Sequence, residues 1–251
     1  LCAFHERTEE KMILIIDEWD AMFRECKGQT HILDAYILLL RSLFKSSLTD
    51  QLFSGVYMTG ILPIKKYGHE SAVSDFYEYT MVDPCPLQEY IGFTETEVEM
   101  LCKKYQKDYA LMQQWYDGYF VGGIHVYNPK SVMESILRNK FSSYWTKTET
   151  YEALRDYIDM NFDGLKDAVI DMLGGAVCEV DTGSFQNDMT SMKSKDDVLT
   201  LLIHLGYLAY DEEKQMVGIP NVEIRQEFIR AIKNGNRTEL MSCLLYTSPS
   251  P

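Results

Sequence analysis

Five consecutive apolar residues, Met12-Ile13-Leu14-Ile15-Ile16, run without interruption into Asp17-Glu18-Trp19-Asp20. A run this short and this apolar predicts a central parallel strand covered on both faces. After a Gly-containing loop, Thr30 stands where it can cap a helix. The apolar positions Ile32, Leu33, Tyr36, Ile37, Leu40, Leu43 and Phe44 of that helix repeat at helical spacing. Phe53 to Met58 then reads as a second strand, ending at Thr59-Gly60. Strand, helix, strand is the crossover unit of a parallel sheet, which sets the fold class as α/β.

From Pro84 onward the pattern turns mainly helical. Thr94-Glu95-Thr96-Glu97 has the reciprocal arrangement of a capping box, opening a helix to Tyr105, and Asn128-Pro129 starts another with proline in its first turn. Further helices are expected over 149–160 and 163–173, the latter closed by Gly174-Gly175. The last third predicts a helix over 196–204 ended by Gly206. Paired strands follow over Tyr207 to Tyr210 and Met216 to Ile219, and then a helix from Asn221. Helices packed with a short hairpin suggest a winged-helix-like module. The expected organisation is a sheet-bearing segment over 1–90, a helical lid-like region over 91–145 and a helical, winged-helix-like region over 146–241. A tail over 242–251 lacks charge and reads as a linker or a non-native extension. The start at Leu1, close before a strongly apolar strand, leads us to expect further protein upstream.

The balance of 24 Lys and Arg against 38 Asp and Glu, a formal charge of -14, disfavours direct binding to nucleic-acid backbones, which runs on clustered positive charge. The apolar clusters are too short to cross a bilayer and the first residues are polar, so no membrane association is expected. The cysteines at 2, 26, 85, 102, 178 and 243 form no CxxC pair and the histidines no HExxH, so zinc-site spacing is absent. Free thiols in a reducing cytoplasm are the expectation. The 13 methionines are scattered through helical stretches and are expected to fill core gaps.

A buried parallel strand delivers the side chains at its carboxyl end to the crevice where open α/β sheets bind ligands, and Asp17 and Glu18 sit at that spot. In a nucleoside triphosphatase the first acid holds hydrated magnesium at the terminal phosphates. The second, pointing differently because strand side chains alternate, accepts a proton from the attacking water. The plainer reading is that acids end a strand where the chain reaches water. Thr59 ends the neighbouring strand, as a small polar residue does in additional-strand ATPases, where it senses the γ-phosphate; its plainer role is a turn cap. No GxxxxGK followed by Ser or Thr occurs in the 251 residues.

Taken with further motifs, the chain resembles the bacterial AAA-ATPase-like family, in which an ATPase domain is often followed by a restriction-endonuclease-like nuclease domain. The likeness spans residues 4–235. It is carried by Ile15-Ile16-Asp17-Glu18-Trp19-Asp20, where the family usually has an aromatic between Glu and Asp, by Thr59-Gly60-Ile61, and by Gly92-Phe93-Thr94-Glu95 before Glu97-Val98. Trp115-Tyr116-Asp117-Gly118-Tyr119, Val126-Tyr127-Asn128-Pro129 with Ser131-Val132, and Tyr144-Trp145 with Thr148 continue it. His204-Leu205-Gly206-Tyr207-Leu208 and Ile219-Pro220-Asn221 with Glu223 complete it. The resemblance implies part of a P-loop NTPase sheet of the additional-strand type and a function in binding and hydrolysing ATP with Mg2+. It implies that Asp17 and Glu18 are the Walker B pair, Asp17 as magnesium ligand and Glu18 as catalytic base, that Thr59 lies in the sensor strand, and that Asp20 orients its neighbours. It also implies a phosphate loop and a nuclease domain that these residues do not include.

Two other readings stand beside this one. The fold is a regulatory or protein-interaction scaffold without catalysis, or Asp17, Glu18 and Asp20 form a magnesium centre of their own. Trp115 to Tyr119 reads as a structural turn packed by tyrosines rather than a base or partner site. Arg225 and Arg230 read as solvated helical arginines rather than sensors of a phosphate.

Overall fold

The structure of the protein is a computed structural model. It describes residues 2–26, 29–46, 48–61, 76–145, 162, 164–183, 185 and 192–234. The chain is mixed α/β and its described residues divide into two units, the first up to Glu78 and the second from Tyr79, so that the described residues of 91–145 and 146–241 fall within one unit. The expected helix over 149–160 and the tail over 242–251 lie outside the described residues.

In the first unit, α1 (Cys2–Thr8) leads into β1 (Met12–Ile16); α2 (Ala21–Glu25), α3 (Thr30–Phe44) and α4 (Thr49–Leu52) precede β2 (Phe53–Met58). β1 and β2 pair in parallel, with Ile13 opposite Gly55, Leu14 opposite Val56, Ile15 opposite Tyr57 and Ile16 opposite Met58. Because strand side chains alternate, Leu14, Ile16, Val56 and Met58 share one face, and that face packs with Tyr36, Ile37, Leu40 and Phe44 of α3. Among the described residues the other face is open. Ile13, Ile15 and Tyr57 are 72%, 69% and 55% exposed. The expectation of a strand covered on both faces is thereby corrected: among the described residues α3 packs on one face only, and an unbroken apolar run does not record which of its faces finds a partner. Thr30 also departs from expectation. It is the first residue of α3 rather than its cap; Gln29 holds that position and makes no side-chain capping bond.

The second unit is built on short, well-capped helices. In the capping box of α5 (Glu95–Tyr105), the Thr94 hydroxyl accepts from Glu97 N at 3.4 Å while Glu97 accepts from Thr94 N at 2.8 Å. Asp108 caps α6 (Tyr109–Tyr116), and Asn128 caps α7 (Pro129–Arg138) by accepting from Ser131 N at 3.1 Å. α8 (Leu165–Leu173) ends at Gly174 and Gly175, the latter in the left-handed region. α9 (Lys195–His204) is opened by a second capping box, Ser194 with Asp197, and α10 (Val222–Asn234) closes the described chain.

Two small antiparallel sheets stand among these helices. β3 (Phe93–Thr94), β4 (Tyr119–Val121) and β5 (Ile124–Tyr127) form one in the order β3-β5-β4; β6 (Cys178–Glu179), β7 (Ala209–Asp211) and β8 (Met216–Gly218) form the other in the order β6-β8-β7. The hairpin of β7 and β8 follows the expectation, with its first strand shifted to start at Ala209 and end at Asp211 and its second ending at Gly218; the stretch before it is mainly helical as expected, and β3 to β5 are short strands that the sequence reading did not include. Strands of two to four residues are too short to establish an alternating pattern. Their one local mark is Gly122-Gly123, both at positive φ, the two-residue turn that a right-twisted hairpin prefers. Val98, Cys102, Met112, Tyr116, Tyr127, Val132, Ile136 and Tyr144 form a core between α5, α6, α7 and β5.

Gly118 joins α6 to β4 at φ 110°, and a Cβ there would collide with the Pro220 backbone. Gly118→Ala combines a disfavoured conformation with a clash that no rotamer relieves. We expect it to lower the unfolding free energy by about 3 kcal/mol or more, measured by urea denaturation.

Candidate functional site

The parallel pairing of β1 and β2 brings their carboxyl ends side by side. Thr59 N donates to Ile16 O at 2.9 Å, and Trp19 N donates to Thr59 O at 2.9 Å, so the pairing continues one step into the loops. Within that frame the Thr59 hydroxyl donates a short hydrogen bond to Asp17 Oδ1. The structure thus joins two of the three residues singled out in the sequence, across 42 positions of chain.

Glu18, the third, follows directly. It is exposed and lies at φ 53°, in the left-handed region that a residue with a side chain enters at a cost of about 1–3 kcal/mol. That turn lets Asp17 and Glu18 stay at the surface while Trp19 enters the core, where it is buried beside Leu40 and Phe44. The Tyr36 hydroxyl of α3 donates to Trp19 O at 2.7 Å, and the Trp19, Phe23 and Tyr36 rings meet edge to face in sequence. Burial, helped by the Asp20 charge, pushes the Tyr36 hydroxyl above its ordinary pKa and keeps it a donor.

Asp20 does not converge with Asp17 and Glu18. It is 1% exposed, and its two oxygens each lie 3.3 Å from Ile61 N. Among the described residues no group of three or more His, Cys, Asp or Glu side chains is placed to hold a metal ion. The donor set at the strand ends is one surface carboxylate with a neighbouring hydroxyl. It suits a magnesium ion that takes its remaining ligands from phosphate and water, and not an all-protein cage.

Three comparisons, with protein-family models, with curated proteins and with solved structures, find no match for this chain.

Trp115 to Tyr119 is tied inward. Tyr116 is fully buried, and its hydroxyl donates to Ser142 O at 2.9 Å; Tyr119 donates to Gly206 O at 2.6 Å. Asp117 Oδ1 accepts from Gly118 N at 2.6 Å and lies 3.0 Å from His125 Nδ1, while Asn221 Nδ2 donates to Asp117 O at 2.8 Å. These contacts favour the structural reading. Arg225 and Arg230 are not simply solvated: Arg225 Nε donates to Leu173 O at 3.0 Å, and Arg230 Nη1 pairs with Glu227 Oε1 at 2.6 Å.

The sequence reading named Glu223 only as a mark of the resemblance and missed that it forms a second acidic pair with Glu227, one helical turn apart on α10 and both buried. Glu223 Oε1 accepts from Ser131 Oγ at 3.0 Å, Tyr144 N at 2.6 Å and Trp145 N at 3.1 Å. Glu227 Oε1 accepts from Ser143 Oγ at 2.6 Å. The available signal was two acids at helical spacing among apolar residues; what they hold lies some 80 positions away and leaves no local trace. Burial, outweighing these hydrogen bonds and joined by the Glu227 charge, pushes the Glu223 carboxyl above its usual pKa of 4.5. Its contribution to stability is therefore fully present below pH 4.5 and is lost as the pH rises through the elevated value.

Thermal melts test this directly. Glu223→Ala orphans two buried amides and should cost about 3 kcal/mol at pH 4.5 and less at pH 8, where the wild type has lost the pH-dependent part of the Glu223 contribution. Glu223→Gln keeps an acceptor oxygen and removes the charge, so its Tm relative to the wild type should be more favourable at pH 8 than at pH 4.5.

Proposed function

We propose that the intact protein binds and hydrolyses ATP, and that this chain carries the Walker B half of the site within part of an additional-strand P-loop NTPase sheet. The observation that carries the reading is the hydrogen bond from Thr59 to Asp17 between the ends of two adjacent parallel strands. A metal-holding acid and a polar phosphate sensor need this placement, because both must reach the same terminal phosphate from neighbouring strands. Mg-ATP supplies the reacting phosphoryl group together with much of the charge neutralisation it needs. The chain's own part is to hold the metal's hydration shell at Asp17, to donate from Thr59 towards phosphate oxygen, and to accept a proton from water at Glu18.

The later part of the second unit, with α8, α9 and α10 around the β6-β8-β7 sheet, supports a winged-helix-like module. Its place in the protein is to couple nucleotide state to a partner, for which a C-terminal nuclease domain is the leading candidate. Among the described residues no helix is long and apolar enough to cross a membrane.

A second reading, a regulatory scaffold with a degenerate NTPase fold, is favoured by one observation: no GxxxxGK(S/T) phosphate loop occurs in these residues. The two are separated on the protein expressed from its complete gene. Under the ATPase reading, Glu18→Gln retains ATP binding and loses at least about 100-fold in kcat, and Thr59→Val loses about tenfold. Unchanged turnover in Glu18→Gln with binding intact removes the base assignment, and a wild type that neither binds nor hydrolyses ATP leaves the scaffold.

A further inference from the structure

Aspartate is among the preferred residues at a helix N-cap because its carboxylate satisfies the first free amides of its own helix. Asp20 occupies that position for α2 and makes no such bond. Its carboxylate instead crosses to the other strand-end loop and lies 3.3 Å, by both oxygens, from Ile61 N, two residues beyond Thr59. At 1% exposure this carboxylate has surrendered its water, and a local cap at the surface would have been the less costly choice.

The two loops also interlock around Gly60. A Cβ there would stand 2.5 Å from Trp19 Cδ1 and Nε1 and 2.9 Å from Asp20 Oδ1, so the Trp19 ring and the Asp20 carboxylate already fill the space. Trp19 N on Thr59 O and the Tyr36 hydroxyl on Trp19 O complete the contact.

We propose that Asp20 is a positioning residue: by bonding the Ile61 amide across the Gly60 contact, it locks the loop bearing Asp17 and Glu18 to the loop bearing Thr59, so that the three present one fixed geometry to the nucleotide. The inference rests on the ATPase reading above. Asp20 is itself too buried to meet a substrate and acts through the two loops. Tyr36 supports the same loop from α3.

Steady-state ATP hydrolysis by the protein from its complete gene tests it, with Glu18→Gln alongside. Asp20→Ala should lower kcat at least tenfold while KM for ATP stays within about threefold, because a misplaced base and sensor cost the reaction rather than ground-state binding. Asp20→Asn keeps an acceptor oxygen for Ile61 N and should recover to within about threefold of the wild-type kcat. Tyr36→Phe preserves the packed ring and removes only the hydroxyl; it should lower kcat at least threefold at unchanged KM, and it keeps the test open if Asp20→Ala fails to fold.

Wild-type kcat in Asp20→Ala or in Tyr36→Phe overturns the proposal, as does an Asp20→Asn variant that falls as far as the alanine variant, or a loss confined to KM. If Glu18→Gln abolishes turnover while the Asp20 variants do not change it, positioning by Asp20 fails and the ATPase reading stands. If the wild type shows no turnover, both fall together.

Discussion

The parallel pairing of β1 with β2 is the constraint on which the candidate site depends. Side-by-side strands of the same direction end at the same edge, so the loops after Ile16 and Met58 begin within hydrogen-bonding reach. An antiparallel partner would have carried Thr59 to the opposite end of β1. Parallel strands need a crossover between them, and α3 supplies it while covering the Leu14 and Ile16 face of the sheet. The same helix provides the Tyr36 hydroxyl that steadies the acidic loop. Fold and site are thus built from one set of contacts.

Beyond the strand ends, polar burial takes over from apolar burial as the organising element. Asp20 reaches the Ile61 amide in the first unit; Glu223 collects the Ser131 hydroxyl and two backbone amides in the second. Buried carboxylates are expensive to desolvate and are tolerated where they satisfy donors that would otherwise be left without partners. Each marks a place where two segments far apart in sequence must hold one arrangement. Tyr116, Tyr119 and Tyr144 of the second unit work in the same way, placing their rings in the core and donating their hydroxyls to backbone carbonyls.

Legibility in the sequence tracked the range of the interaction responsible. The Thr94 and Glu97 capping box, the Asn128-Pro129 start and the Gly174-Gly175 stop all operate within a few residues, and each was visible as a local pattern. The acidic strand end and Thr59 were visible as residue types at the right places, because a short apolar run followed by acids is itself local. Three features were not visible. The open face bearing Ile13, Ile15 and Tyr57 contradicts an unbroken apolar run; β3 to β5 are too short for periodicity; and Glu223 reads as an ordinary helical acid until its partners are known.

By itself the sequence determined the mixed α/β class and the Thr94, Asn128 and Gly174-Gly175 boundaries of three helices, and it singled out Asp17, Glu18 and Thr59 as candidates for phosphate and metal chemistry. Only the tertiary structure decided that Asp17 and Thr59 meet, that Asp20 turns away from its own helix to Ile61, and that Glu223 holds Tyr144 and Trp145. The physical reason is that caps and turns are settled by neighbours along the chain, whereas these hydrogen bonds join residues 41 to 79 positions apart. Which distant donor a carboxylate finds depends on the strand direction and helix packing that bring the two segments together.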